Sequence, residues 1–219
     1  MNVALFGGTF DPVHSGHLSA ARAALQAFAL DQIHFVPASV PPHKQGRSIT
    51  DFHHRYAMVV LAWAGEPRFL PSLLEAPDLN QGQPNYSIAT VRKLAQRLAE
   101  KDRLYFLIGA DAFLEINHWH EWKALLECCD FIIASRPGFP IADIEKVVPQ
   151  ELRSGPTAGN SIPLCRTKLH LLTTVDADIS SSTIRHLAAE GRSFRGLVPE
   201  AVEEYIQKLG LFVHVNRTS

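Results

Sequence analysis

The chain has almost no surplus charge: 21 Lys and Arg stand against 22 Asp and Glu in 219 residues, a formal net charge of -1. Without a global basic field, long nucleic acid is not an expected partner, and any polyanion has to be held at a local site. Cysteine is scarce. Cys128, Cys129 and Cys165 form no C-x-x-C pair and no even framework, which suits a reducing, cytoplasmic compartment better than a disulfide scaffold; they read as small buried apolar residues. No apolar run reaches the length of about 18 residues needed to span a membrane. The first residues, Met1 to Phe6, lack the basic flank and length of a secretory signal. Internal repeats, low-complexity tracts and heptads are missing as well. With 46% hydrophobic and 20% charged residues, the sequence reads as one core in one domain over residues 1–219, with a homo-oligomer left open.

Short apolar runs alternate with helical periodicity. Val3 to Phe6 reads as a strand stopped by Gly7-Gly8, and Leu18, Ala21, Leu25 and Phe28 mark a helix over His17 to Leu30. Ile33 to Val36 is a second strand, followed by a Pro/His/Lys loop and a helix over Asp51 to Ala64 with Thr50 as its N-cap. A third strand over Phe69 to Leu74 leads through the polar loop Asp78 to Asn85 into a helix from Ser87. Leu104 to Ile108, Phe131 to Ala134 and Leu169 to Thr173 read as strands buried on both faces. Pro137 to Pro163 is a Gly- and Pro-rich surface excursion with two weakly helical pieces, not a domain boundary, and helices over Ser182 to Glu190 and Pro199 to Leu209 close the chain. Strands separated by helices imply right-handed crossovers and an α/β fold with a doubly wound parallel sheet. Ligands then sit beyond the carboxyl ends of the strands.

The loop after the first strand carries the most chemistry: Gly7-Gly8-Thr9-Phe10-Asp11-Pro12-Val13-His14-Ser15-Gly16-His17. It is neither G-x-G-x-x-G nor G-x-x-x-x-G-K-[ST], which argues against a dinucleotide dehydrogenase and a P-loop NTPase. Gly7 and Gly8 let backbone approach a ligand closely, and the helix that follows offers unpaired N–H groups to phosphate. His14 and His17, three apart across Gly16, can face one phosphate from a helix start, while Gly16 leaves room for a base or ribose.

This loop resembles the G-G-T-F-D-P-x-H-x-G-H signature of the H-x-G-H nucleotidyltransferases, relatives of class I aminoacyl-tRNA synthetases, although the chain is too short for a usual synthetase. Ile179-Ser180-Ser181-Ser182-Thr183-Ile184-Arg185 is similar to the second signature of that superfamily, I-S-S-T-x-x-R, with one extra Ser. Read as the looser I-S-[SA]-[ST]-x-[IV]-R, it fits without a gap. Hydroxyls at such a place cap a helix and can bond phosphate, and Arg185 adds a forked cationic donor. Nearly the whole chain resembles the bacterial nicotinate-nucleotide adenylyltransferases. The matches are Pro41-Pro42-His43-Lys44, the H-R-x-x-M pattern at His54, Arg55 and Met58, Pro84-Asn85-Tyr86-Ser87, Phe106 to Asp111 with Trp119 beyond, and Ser135-Arg136-Pro137-Gly138.

The resemblance implies a Rossmann-like nucleotidyltransferase fold with C-terminal helices. It also implies adenylyl transfer from ATP to nicotinate mononucleotide, yielding nicotinic acid adenine dinucleotide and pyrophosphate in NAD biosynthesis. Pantetheine phosphate as acceptor, or a non-catalytic nucleotide sensor, are the competing readings. By the family pattern, His14 and His17 stabilise the pentacoordinate phosphorus, Lys44 with His43 approaches phosphates, and Arg185 holds the leaving pyrophosphate. The nucleotide is assigned to Gly7, Gly8, Thr9, Phe10, Gly16, Gly109, Asp111, Ser181, Ser182 and Thr183; the acceptor to His43, Tyr86, Ser87, Trp119 and Arg136. Mg²⁺ is expected on the ATP phosphates and water, with no dedicated protein ligands. His53-His54 and His118-x-His120 lack a third ligand at sensible spacing and read as surface or helix-packing residues.

Overall fold

The structure is a computed structural model; it describes residues 1–41, 48–80, 83–135, 138–173 and 179–213. In chain order its elements are β1 (Asn2–Gly8), α1 (Ser15–Ala27), β2 (Gln32–Pro37), α2 (Phe52–Trp63), β3 (Phe69–Pro71), α3 (Pro77–Asn80), α4 (Ser87–Ala95), β4 (Arg103–Gly109), α5 (Ala110–Leu114), α6 (Trp122–Cys128), β5 (Asp130–Ala134), α7 (Ile141–Val147), β6 (Ser161–Pro163), β7 (Lys168–Leu172), α8 (Ser181–Ala189) and α9 (Glu200–Leu209). The strands form one sheet in the order β3-β2-β1-β4-β5-β7-β6, and every pairing is parallel except β6 with β7.

Strand side chains alternate between two cores, as the period of two requires. Val3 and Leu5 of β1, Phe106 and Ile108 of β4, and Phe131 and Ile133 of β5 point into the cluster closed by α4, α5, α6 and α7. Ala4, Phe6, Tyr105, Leu107 and Ile132 point into the opposite cluster, with α1, α2, α8 and α9. Both faces are covered, which is why these strands read as unbroken apolar runs. Helix α1 buries Leu18, Ala20, Ala21, Ala24 and Leu25, and its small residues let it lie close on the sheet. On the same face Phe35 stacks on Trp63 with centroids 4.1 Å apart, and His54 Nδ1 meets the Tyr205 hydroxyl of α9 at 2.9 Å. The chain runs outward from β1 to β2 and β3, then returns to the other side of β1 at β4. The sheet order therefore reverses between β1 and β4, and a crevice opens at their carboxyl ends.

Several expectations need correcting. Asp51, not Thr50, caps α2: its carboxylate accepts from His53 N at 2.8 Å, while the Thr50 carbonyl is taken by Arg55 Nε. β3 stops at Pro71 instead of Leu74, because proline brings no N–H to a ladder and is tolerated on this edge strand. The 137–163 excursion has its two helical pieces, α7 and a 3₁₀ turn over Gln150–Leu152, but it also returns to the sheet as β6, whose Ile162 pairs with Leu169. Three residues are too few to show strand alternation in sequence. Of the cysteines only Cys129 is buried, and burial pushes its thiol pKa up; Cys128 and Cys165 are exposed. Among the described residues no helix is long and apolar enough to cross a membrane.

Candidate active site

Gly7 and Gly8 end β1, and the chain turns there toward α1. A Cβ on Gly8 would lie 3.1 Å from the Phe10 ring, so glycine is what lets that ring tuck under the loop. Phe10 has φ 50 and is 2% exposed; its ring packs between Phe6, Phe35 and His17. The side chain is therefore core, and it supports the loop from beneath. His14 caps α1 and His17 lies one turn in, with the His14 amide donating to His17 Nδ1 at 3.2 Å. The imidazole centroids are 3.7 Å apart and tilted by 37°. His14 is 8% exposed, and burial lowers its pKa from 6.5 to about 4, so the ring is neutral at physiological pH. An anion beside it would favour its charged form.

Both rings line a cavity of about 490 Å³ at the carboxyl edge of the sheet. Gly7, Gly8, Thr9 and Gly16 line it beside them; β4 and α5 supply Gly109 and Asp111, and the approach to α4 supplies Asn85 and Ser87. Trp119 faces it from beyond β4, its ring edge-on to Phe106 at 6.3 Å. A Cβ on Gly109 would meet nothing within 4 Å, so that position is open to the cavity. Asp111 is exposed in the first turn of α5, whose cap is Gly109; its carboxylate is thus not the cap.

The second motif reaches the same loop from 174 positions away. Ser180 Oγ caps α8 by accepting from Thr183 N at 3.1 Å, Ser181 Oγ donates to the Pro12 carbonyl at 2.9 Å, and Arg185 Nη1 donates to the Asp11 carbonyl at 2.7 Å. Ser182 and Thr183 are exposed on that first turn. Arg185 and the three hydroxyl residues do not themselves line the cavity; from this segment Ile179 does. Tyr86 also stands outside it, 37% exposed and stacked on His120 at 4.2 Å. His43, Lys44 and Arg136 lie outside the described residues. His53, His118 and His120 pair with Asp51, Glu115 and Glu121 on the surface. Among the described residues, no group of three His, Cys, Asp or Glu side chains could hold a metal ion.

The sequence assigns no role to two charged residues that the structure buries. Arg55 is 1% exposed; its guanidinium donates to the carbonyls of Thr50 at 2.8 Å and Thr9 at 2.7 Å, with the buried Asp11 carboxylate nearby. It ties α2 to the glycine loop. Glu75 is 7% exposed and lines the cavity; Thr90 Oγ1 donates to its Oε1 at 2.5 Å, and burial raises its pKa to about 7 against that hydrogen bond and the pull of Lys93 and Arg55. A single Glu between Leu74 and Ala76 offers no periodicity to distinguish it, and only its apolar neighbours hint at burial.

Comparison with known proteins gives one answer. The Cytidylyltransferase-like family matches residues 5–187. Two curated relatives carry the name "Probable nicotinate-nucleotide adenylyltransferase": that of Moorella thermoacetica is 40% identical over 96% of this chain and 91% of its own. That of Geobacter metallireducens is 38% identical over 98% and 99%. The nicotinic acid mononucleotide adenylyltransferase of Plasmodium falciparum, solved with NaAD, superposes with a TM-score of 0.71 over 96% of this chain and 97% of that one, at 21% identity; it shares the fold. On both its sequence and the loop that gathers its histidines, the chain belongs to the cytidylyltransferase-like nucleotidyltransferases, in the family of the bacterial nicotinate-nucleotide adenylyltransferases.

Proposed function

We propose that this protein transfers the adenylyl group of ATP to nicotinate mononucleotide, releasing pyrophosphate and forming nicotinic acid adenine dinucleotide for NAD biosynthesis in the cytoplasm, the whole chain acting as one domain. The observation that carries the reading is the meeting of two imidazoles 3.7 Å apart, in a cavity shared with Ser87, Gly109 and Trp119, with Arg185 bonded to the same loop.

The acceptor's phosphate oxygen attacks the α-phosphorus in line and pyrophosphate leaves, with no covalent enzyme intermediate. Alignment of two anions and stabilisation of charge on the pentacoordinate phosphorus are the tasks, each able to contribute several kcal/mol. His14 and His17 hold that phosphorus, with Thr9 and the N–H groups that open α1. A neutral His14 suits an empty site, because it costs less to bury than a cation, and an incoming triphosphate would favour its charged form. Ser181, Ser182, Thr183 and Arg185 receive the β- and γ-phosphates, which requires Arg185 to exchange the Asp11 carbonyl for phosphate oxygens. Lys44 and His43 approach from the second loop. Gly109 admits the nucleotide and Asp111 accepts a ribose hydroxyl. Trp119 offers a face to the pyridine ring, the N–H groups at the start of α4 near Tyr86 and Ser87 bind its carboxylate, and Arg136 contacts phosphate. Such donors favour the acid over the amide. A cavity whose exposed carboxylate is Asp111 fits an ion that arrives with the nucleotide: Mg²⁺ would be held by the ATP phosphates and water, not by protein side chains, and would offset phosphate charge.

Pyrophosphate release from ATP and Mg²⁺, with nicotinate mononucleotide, nicotinamide mononucleotide and pantetheine phosphate offered separately, tests this reading. Fastest release with the first supports it. Preference for pantetheine phosphate would reassign the acceptor, and binding of ATP with no release in any arm would make the protein a sensor.

A further inference from the structure

The buried carboxyl of Glu75 has no part in holding either substrate in the scheme above, yet it lines the same cavity as Ser87. Its partner Thr90 is 2% exposed and sits one turn into α4. The Thr90 hydroxyl has a second neighbour, the Tyr86 carbonyl at 3.4 Å, which also accepts the amides of Ala89 and Thr90. One hydroxyl proton cannot serve Glu75 and Tyr86 at once. If Glu75 is ionised, Thr90 donates to it and the Tyr86 carbonyl loses that contact. If Glu75 is protonated, it donates to Thr90, and Thr90 is free to donate to Tyr86.

Tyr86 is the cap of α4, and Asn85 before it is clamped to Val40, with the Val40 amide donating to Asn85 Oδ1 at 2.6 Å and the Asn85 amide to the Val40 carbonyl at 3.0 Å. The segment that begins α4 is thus fixed from one side by Val40 and from the other by Glu75 through Thr90. We propose that Glu75 is a positioning and specificity-determining residue for the acceptor: protonated, it works through Thr90 to set the first turn of α4, and it adds no negative charge to the wall that receives the acceptor's carboxylate. This rests on the function proposed above and concerns the acceptor half of the same site.

Among the described residues, Lys93 from α4 and Arg55 from α2 act on Glu75 as charges; Asp111 from α5 and the rings of His14 and His17 line the same cavity. Burial outweighs the Thr90 hydrogen bond and the two cations, leaving the carboxyl to titrate near neutrality. Ionisation would then both withdraw the Thr90 proton from Tyr86 and oppose a second carboxylate.

The test is steady-state kinetics of the full chain with ATP, Mg²⁺ and nicotinate mononucleotide between pH 6.5 and 8.5. For the wild type, KM for nicotinate mononucleotide should rise about tenfold across that range while KM for ATP moves less than about twofold, as expected when one protonation state binds the acceptor preferentially. Glu75→Gln, permanently neutral and still able to donate to Thr90, should abolish the rise. Thr90→Val should raise KM for nicotinate mononucleotide about tenfold at pH 6.5, where the wild-type relay is intact, and leave KM for ATP nearly unchanged, because the relay is cut at its middle. A Glu75→Gln enzyme that keeps the wild-type pH step, or a Thr90→Val enzyme that shifts both KM values alike, overturns the proposal. Infrared spectroscopy of the wild type needs no variant to fold. Saturating nicotinate mononucleotide should move the midpoint for loss of the protonated-carboxyl band upward by about one pH unit, and ATP alone should not. No movement overturns the proposal. A wild type that releases no pyrophosphate with nicotinate mononucleotide overturns the function and this role together; an active wild type with a pH-indifferent KM overturns only the role of Glu75.

Discussion

His14→Asn should change how stability depends on pH, and the size of the change follows from burial. In the folded chain the ring is 8% exposed and its pKa falls from 6.5 to about 4. That gap corresponds to about 3 kcal/mol of preference for the neutral ring, at 1.36 kcal/mol per unit. A depressed folded-state pKa makes the sign definite: the unfolded chain takes up the proton first, so the stability due to neutral His14 is intact above pH 6.5 and drains away as pH falls toward 4. Glu75 acts in the opposite sense over an overlapping window. Its pKa rises from 4.5 to about 7, so its contribution is largest below pH 4.5 and is lost, by about 3 kcal/mol, as pH rises to 7. The wild-type curve alone can therefore look flat, and only the difference between wild type and variant isolates the imidazole. Urea unfolding of both at pH 7.5, 6.5, 5.5 and 4.5 provides it. The wild type should lose about 2 to 3 kcal/mol relative to His14→Asn between pH 7.5 and 4.5, or roughly 5 to 10 °C in Tm for a chain of this size. Curves that stay parallel within about 0.5 kcal/mol would mean that His14 is not held neutral by burial.

Four further substitutions separate the structural from the binding roles around the cavity. Trp119→Ala should raise KM for nicotinate mononucleotide more than KM for ATP, and the reverse order would remove Trp119 from the acceptor side. Gly8→Ala drives a methyl into the Phe10 ring and should cost about 1 to 3 kcal/mol in urea unfolding. Gly109→Ala, whose methyl meets nothing, should leave stability within about 0.5 kcal/mol yet raise KM for ATP. Equal stability losses at the two glycines would contradict this division. Arg55→Met leaves two carbonyls without their donor and Asp11 without its cation, and should lower unfolding free energy by about 3 to 5 kcal/mol; a loss below about 1 kcal/mol would show that the guanidinium does not fasten the glycine loop.

The sheet was readable because its strands are buried on both faces: apolar runs such as Leu104 to Ile108, bounded by glycine and by helical periodicity, leave little alternative. The His14 and His17 pair was readable for a local reason, since three residues across a helix start already place two rings together. What escaped depends on partners far along the chain. Arg55 is an ordinary helix residue until Thr9, 46 positions away, is folded against it, and Glu75 becomes a buried acid only when Thr90 packs on it. Phe10 shows the opposite case: inside a phosphate loop its ring faces the core, because φ 50 turns it under His17. β6 was hidden by brevity, its pairing supplied by β7.

The central claim is that His14 and His17 act on the phosphorus more than on the bound nucleotide. Turnover and ATP affinity, measured side by side for His17→Ala, test it directly. Turnover should fall by roughly a hundredfold or more while the Kd for ATP stays within about tenfold, the pattern of a donor used in the transition state. Equal losses in both would contradict the account and leave the pair as a nucleotide clamp.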